Sequence, residues 1–412
     1  MISKAVAGLV LVALVAGYAA SSHAGDLNKD SIFSLNGFGT LGAVRSNERS
    51  GDFTLHALQK VGSSGGWSAK VDTRLGAQVT ANFAPQWSAV VQAVVEQRQD
   101  GDFKPDIDWA TLKYQATPEL SLRAGRIILP LFLYSDNYKV GYAQHWVRAP
   151  VEVYRLIPLT STTGVDLMYR FGQSDFKHTL QLAYGENTRR APEGGEVHIK
   201  DGWLVKDTAE IGALTLHATA AGSRVTMDIP AYNNLFENYR GIAQSGVSPQ
   251  AEQAQAIIDR YDPRNRRTMF YSIGAGYDPG KWFVLTEAGQ VSSKSIFGKR
   301  FAWYATGGYR MGKLVPYLTY TRARARSPLT DPGVTGAPAL VNAGLNTALA
   351  YVPEQKTIAL GARWDFARNI ALKMQYDRTR IAPDSLGTLQ TQDVVPRAKD
   401  FNVFSISMDW VF

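Results

Sequence analysis

The sequence predicts a transmembrane antiparallel up-and-down β-barrel of about sixteen strands, and three observations carry that expectation. Segment after segment alternates apolar and polar residues over ~10 positions. The connections between those segments include short ones at every second junction and long ones between them. Beyond the first two dozen residues, no stretch supplies the ~20 apolar residues of a helical membrane span.

The chain of 412 residues opens with Lys4, an apolar run over 5–20, and the small residues Ser22 and Ala24 flanking His23. A charged start, a short apolar run and small residues at the cut read as a secretory signal. Residues 1–24 are expected to be cleaved, and 25–412 to form one barrel domain. The chain has no cysteine. An exported protein without disulfides needs another source of stability, and a closed hydrogen-bond ladder with no free edge is one.

Lys and Arg total 44 against 36 Asp and Glu, for a net charge of +8. Removal of Lys4 leaves about +7. The charges are spread along the chain, which gives a weak lean toward anions and no nucleic-acid footprint. Tyr at 19, Phe at 17, Trp at 9 and Gly at 37 suit short-turned strands ringed by aromatics.

The alternation is clear over 67–81. Trp67, Ala69, Val71, Leu75, Ala77 and Val79 share one face, and Lys70, Asp72, Arg74, Gln78 and Thr80 the other. A helical period of 3.6 would mix the two sets. It returns at the end of the chain, where Phe404, Ile406, Met408, Trp410 and Phe412 oppose Ser405, Ser407 and Asp409.

Strands are expected at 33–45, 67–81, 87–97, 106–116, 120–128, 163–171, 177–185, 202–208, 213–222, 268–278, 282–292, 300–310, 314–325, 356–366, 369–380 and 401–412. Those at 202–208 and 282–292 alternate poorly. Short turns at 82–86, 117–119, 172–176, 209–212, 279–281, 311–313 and 367–368 fall on one side. Long loops at 46–66, 129–162, 186–201, 223–267, 326–355 and 381–400 fall on the other. The parity puts both ends of the barrel on the short-turn side. Within 223–267, Ser248-Pro249-Gln250 predicts a helix over 251–260.

The last strand, with its terminal Phe412 and the alternating Phe404, Met408 and Trp410, resembles the β-signal of outer-membrane proteins. That resemblance implies recognition by the barrel-assembly machinery. The whole mature chain resembles the Gram-negative porin superfamily, and more distantly the phosphate-selective porins, whose lysine and arginine ladder has no dense counterpart here. The resemblance implies a third loop, 129–162, folded into the lumen as a constriction, a homotrimer, and a place in the bacterial outer membrane among lipid and lipopolysaccharide.

A pore narrows a water path with charged side chains and loop backbone. The expected lumen charges are Lys70, Asp72, Arg74, Glu96, Arg98, Lys113, Arg123, Asp166, Arg170, Arg363, Asp365, Lys373 and Asp377, and in the third loop Asp136, Lys139, Arg148 and Glu152. For the loop residues the alternative is a tether that pins the loop to the wall. Arg322, Arg324 and Arg326 alternate at a strand end, where they would meet anions or lipopolysaccharide phosphates, or simply water. The expected function is passive diffusion of small hydrophilic solutes and ions with a weak anion preference, no cofactor and no catalysis. The histidines at 56, 145, 178, 198 and 217 are scattered and show no His-Glu-x-x-His spacing. A structural or adhesin barrel with a filled lumen is the main alternative, and a barrel hydrolase a weaker one.

Overall fold

The structure, a computed structural model, describes residues 32–412 apart from 158, 174, 192–193 and 391–397. The expected signal segment, 1–24, lies outside the described residues.

Sixteen antiparallel strands close into a barrel. They are β1 (Phe33–Ser46), β2 (Arg74–Ala84), β3 (Trp87–Gln97), β4 (Phe103–Gln115), β5 (Leu120–Ile128), β6 (Ser161–Gln173), β7 (Phe176–Arg190), β8 (Glu196–Ile211), β9 (Leu214–Asp228), β10 (Arg266–Tyr277), β11 (Trp282–Ser293), β12 (Lys299–Tyr309), β13 (Leu314–Ala325), β14 (Gln355–Ala367), β15 (Ile370–Ile381) and β16 (Lys399–Val411). Each pairs with its neighbour in sequence, and β1 pairs with β16 from Phe38↔Val411 to Ser46↔Val403. Closure leaves the sheet without an edge.

Alternation decides which way each side chain points. Leu35, Val79, Val91, Leu112, Leu122 and Val165 lie on one continuous exterior and are exposed. Rings gather near the short turns: Trp87 on Tyr114, Tyr277 on Trp282, and Trp364 on Phe366, with centroids 4.7, 5.3 and 5.3 Å apart. A second group sits toward the long loops, with Trp67 on Phe404 and Trp303 on Tyr320. An apolar band between two aromatic girdles is the exterior that a bilayer requires.

Three expectations need correction. The strand at 67–81 is interrupted. Trp67–Ser68 pairs with β1, but regular pairing resumes only at Arg74. The Gln59 amide donates to the carbonyls of Lys70 and Val71 and pulls that backbone out of the ladder. Val71 is therefore buried with Phe53, Leu55 and Val151 instead of facing lipid. Second, 186–201 is not a long loop. β7 and β8 run on as a tall hairpin, with a bulge between Lys200 and Trp203. The bulge shifts the register and blurs the alternation around 202–208. Third, the long loops carry more helix than expected. The helix at 251–260 is present as Gln250–Tyr261, but Pro230–Gln244 and Ala339–Ala350 are helices as well.

In chain order the helices are α1 (Val151–Tyr154), α2 (Pro230–Gln244), α3 (Gln250–Tyr261) and α4 (Ala339–Ala350). The last three build a cap over the long-loop end with its own core. Leu235, Phe236 and Tyr239 of α2 meet Ile257 of α3 and Leu345 and Leu349 of α4. Pro230 starts α2 at a position where the missing N–H costs nothing.

Candidate pore and its inward loop

The connection between β5 and β6, residues 129–160, does not stay outside. It crosses the barrel interior and is fastened to the wall by side chains from most of the circumference.

At the start of the loop the carbonyls of Leu131 and Phe132 accept hydrogen bonds from Ser272 Oγ (2.6 Å) and Lys206 Nζ (2.8 Å). Glu287 of β11 is the next hold. Its carboxylate accepts from Leu133 N at 2.6 Å, Tyr154 Oη at 2.8 Å and Tyr304 Oη at 2.7 Å, and lies 2.9 Å from His217 Nε2. A fully enclosed carboxylate is tolerated only when its lone pairs are filled in this way. Trp146 donates to both Thr306 and Thr319 at 3.0 and 3.1 Å.

The charged residues expected in the pore divide into two groups. Arg148 is buried and reaches Asp72 through two hydrogen bonds of 2.6 and 3.0 Å, Asp377 at 3.3 Å and Ser405 at 2.7 Å. Its guanidinium also lies over the Phe53 ring. Glu152 accepts from Gln355 at 2.8 Å and from Thr357. Lys373 is wholly enclosed, donating to the Gly141 and Trp146 carbonyls at 2.6 and 2.9 Å with Asp409 3.0 Å away. Arg363 holds the carbonyls of Tyr142 and Gln144 and pairs with Asp365. Lys139 spans to the opposite wall, where it meets Glu96 at 2.6 Å and Asp108 at 3.0 Å. Burial pulls the Lys139 ammonium down, but the two carboxylates outweigh it and hold it above its ordinary range. Arg74 is buried beside Asp72, donating to its carbonyl. All of these except Arg74 join the inward loop to the wall.

The second group stands apart from them. Lys113 and Arg123 are register neighbours on β4 and β5, and Arg123 binds Asp166 of β6, with Nε 2.8 Å from Oδ1. Arg170 of β6 is exposed on the same inner face. Asp136 is exposed at the tip of a short turn of the loop. Arg98 lines a cavity of about 110 Å3 with Arg74, Glu96, Lys104, Asp106 and Arg189, on the long-loop side. Arg189 bridges to Asp106 at 2.6 Å. Lys70 sits in the broken stretch before β2, half-buried and off the ladder.

Sequence reasoning missed Glu287, Asp409 and Lys206. A signal for Glu287 was present: it is the one carboxylate in 282–292, a run apolar on both faces. Phe283, Leu285 and Val291 point inward and are buried together with Phe132, Trp146 and Leu156 of the loop. Poor alternation there marks a wall that packs against protein instead of water.

His217 is buried against Glu287, out of reach of any solute. His145 stacks on Phe283 with centroids 4.0 Å apart. Burial and the nearby cations Arg363 and Arg310 push His145 down to about 4, and burial likewise lowers His56 to about 4.

No protein-family model matches the sequence, and no curated protein matches it. Solved structures match over nearly the whole chain. The outer membrane channel DcaP of Acinetobacter baumannii superposes with a TM-score of 0.55 at 14% identity, over 94% of this chain and 99% of that one. OmpF of Salmonella typhi, in complex with daunomycin, gives 0.53 at 13%, over 92% and 97%. An anion-selective porin from Comamonas acidovorans gives 0.51 at 13%, over 92% and 99%. At such identities the likeness speaks for the fold, and the chain has the closed sixteen-strand barrel fold of the outer-membrane porins.

Proposed function

We propose that the chain is an outer-membrane channel for passive diffusion of small hydrophilic solutes and ions, with a weak preference for anions. The observation that carries the reading is the inner face of β4 to β6. Lys113, Arg123 and Arg170 stand there with Asp166 as a carboxylate neighbour, and Arg123 and Arg170 bond to wall residues, Asp166 and Met168. Cations along a water path lower the barrier for anions. In planar bilayers the purified protein is expected to conduct in steps, with a reversal potential of anionic sign in a salt gradient. A sealed bilayer at every voltage and dose would remove the channel reading.

The same reading includes a homotrimer in the outer membrane, reached after cleavage of residues 1–24. The final strand supports recognition by the barrel-assembly machinery, since Phe404, Met408 and Trp410 share the outward face of β16 and Phe412 follows in the same alternation. Lipopolysaccharide is a partner on the outer rim. Arg322, Lys356 and Arg380 are cross-strand neighbours on the outward face of β13 to β15, and Asp400 is the carboxylate beside them. Phosphates suit such a row of cations.

A second reading, a structural barrel with a filled lumen, is favoured by the dense seat of the loop, where Trp146, Tyr304, Lys373 and Asp409 are almost fully enclosed. The bilayer measurement separates the two.

A further inference from the structure

Between the inward loop and the wall of β7 to β12 lies a second cavity of about 110 Å3, different in character from the charged one near Arg98. Leu131 and Ile157 of the loop line one side, and Leu204, Phe270 and Val291 of the wall the other. Two cations reach it, Arg300 and Arg266.

Among the described residues, neither cation meets a carboxylate. Arg266 donates to the carbonyls of Asp262 and Ile258 at 2.6 and 2.7 Å. Arg300 donates through Nη2 to the Leu156 carbonyl at 2.8 Å and rests 5.7 Å from the Phe297 ring centroid. Its Nε is buried with no hydrogen-bond partner among the described residues. Arg148, Lys139, Lys373 and Arg363 each touch a carboxylate, and Lys206, Arg74 and Arg155 are held by backbone carbonyls; what sets Arg300 apart is a buried donor left unfilled beside an apolar cavity. A guanidinium against an apolar surface with an unfilled donor lacks an anion.

We infer that this cavity binds a small monocarboxylate with a compact apolar body, of benzoate size, its carboxylate on Arg300 and its body against Leu131, Ile157, Leu204, Phe270 and Val291. The volume limits the body to one small ring: it is about 110 Å3 against roughly 150 Å3 for a closed apolar cavity that admits benzene, and the open side leaves room for the head group. Few polar groups over an apolar lining is the usual composition of a small-molecule site. The charge selects the head group, because the planar donors of Arg fit a carboxylate. The inference names a solute class for the proposed channel and rests on that reading for passage, though not for binding.

Calorimetry on the full, detergent-folded chain tests it with benzoate, benzyl alcohol and acetate as probes. Benzoate is expected to bind saturably and acetate, which lacks the body, at least tenfold more weakly. Arg300→Gln should weaken benzoate about tenfold or more while leaving benzyl alcohol unchanged. Ala221→Phe, which fills the cavity from β9, should abolish both. Heat-modifiable mobility on gels verifies that each variant folds, and Ala221→Phe decides alone if Arg300→Gln does not. Benzoate heats that never saturate, or that persist undiminished in either folded variant, overturn the inference. A protein that conducts without binding benzoate loses only this inference, and one that binds benzoate in a sealed bilayer loses only the channel.

Discussion

Arg148 in the inward loop and Asp72 ahead of β2 form a two-pronged ion pair, enclosed by Asp377, Ser405 and the Phe53 ring. Replacing Arg148 by Met strands two carboxylates in the interior. Removing one partner of a buried pair costs about 3–5 kcal/mol. The loop should loosen while the barrel persists. Expected are a lower unfolding temperature with retained heat-modifiable mobility, and noisier single-channel currents; a variant as stable and quiet as the parent would show that the pair does not hold the loop.

Glu287→Ala removes the acceptor shared by Tyr154, Tyr304 and Leu133 N. Each stranded donor costs roughly 1–3 kcal/mol. Together with Arg148→Met it should destabilise less than additively if both work through the same loop. Thermal melts of the two single variants and the double give the coupling.

His145 and His56 are held neutral, near 4, against about 6.5 in an unfolded chain. Their folded-state values are depressed, so their contribution is whole above about pH 6.5 and is lost as pH falls toward 4. Above 6.5 nothing further changes from these groups. Melts between pH 7 and 4.5 should fall more steeply in the parent than in His145→Gln. Parallel curves would mean that His145 takes up its proton in the folded state without cost.

Lys113→Glu combined with Arg170→Glu turns the cationic stretch of β4 to β6 acidic without touching the loop's anchors. The reversal potential in a salt gradient should move toward cation preference. No movement would place the selectivity elsewhere.

The seam between β1 and β16 predicts a fifth result. Trp410 and Phe412 lie over Gly39 and Gly37, where a side chain would collide with the rings. Aromatic cover of strand glycines pins register. Gly39→Val, or deletion of Phe412, should lower the yield of heat-modifiable barrel in the outer membrane; an undiminished yield would show that the seam does not depend on that cover.

The barrel was legible because its strands obey one rule, grease outward and polar inward, and the short turns enforce parity. That rule failed at 67–73, where the Gln59 side chain competes for backbone carbonyls, and at 202–208, where a bulge shifts the register. The inward loop was suggested by resemblance, but its attachment was not readable. Charges such as Arg148 and Lys373 look alike in sequence whether they meet water or a buried carboxylate. The sign of that difference lay in 282–292, whose inner face is apolar because it receives the loop. The helices α2 and α4 escaped notice because their apolar faces meet each other across about a hundred residues of chain.

That meeting has a consequence for how the surface can change. Tyr239 on α2 donates to the Val341 carbonyl, and Leu235 and Leu345 share one small core. Two loops that look independent in sequence are thus obliged to vary in concert. A substitution in the core of one must be answered by a compensating change in the other, while the sixteen staves beneath need not respond.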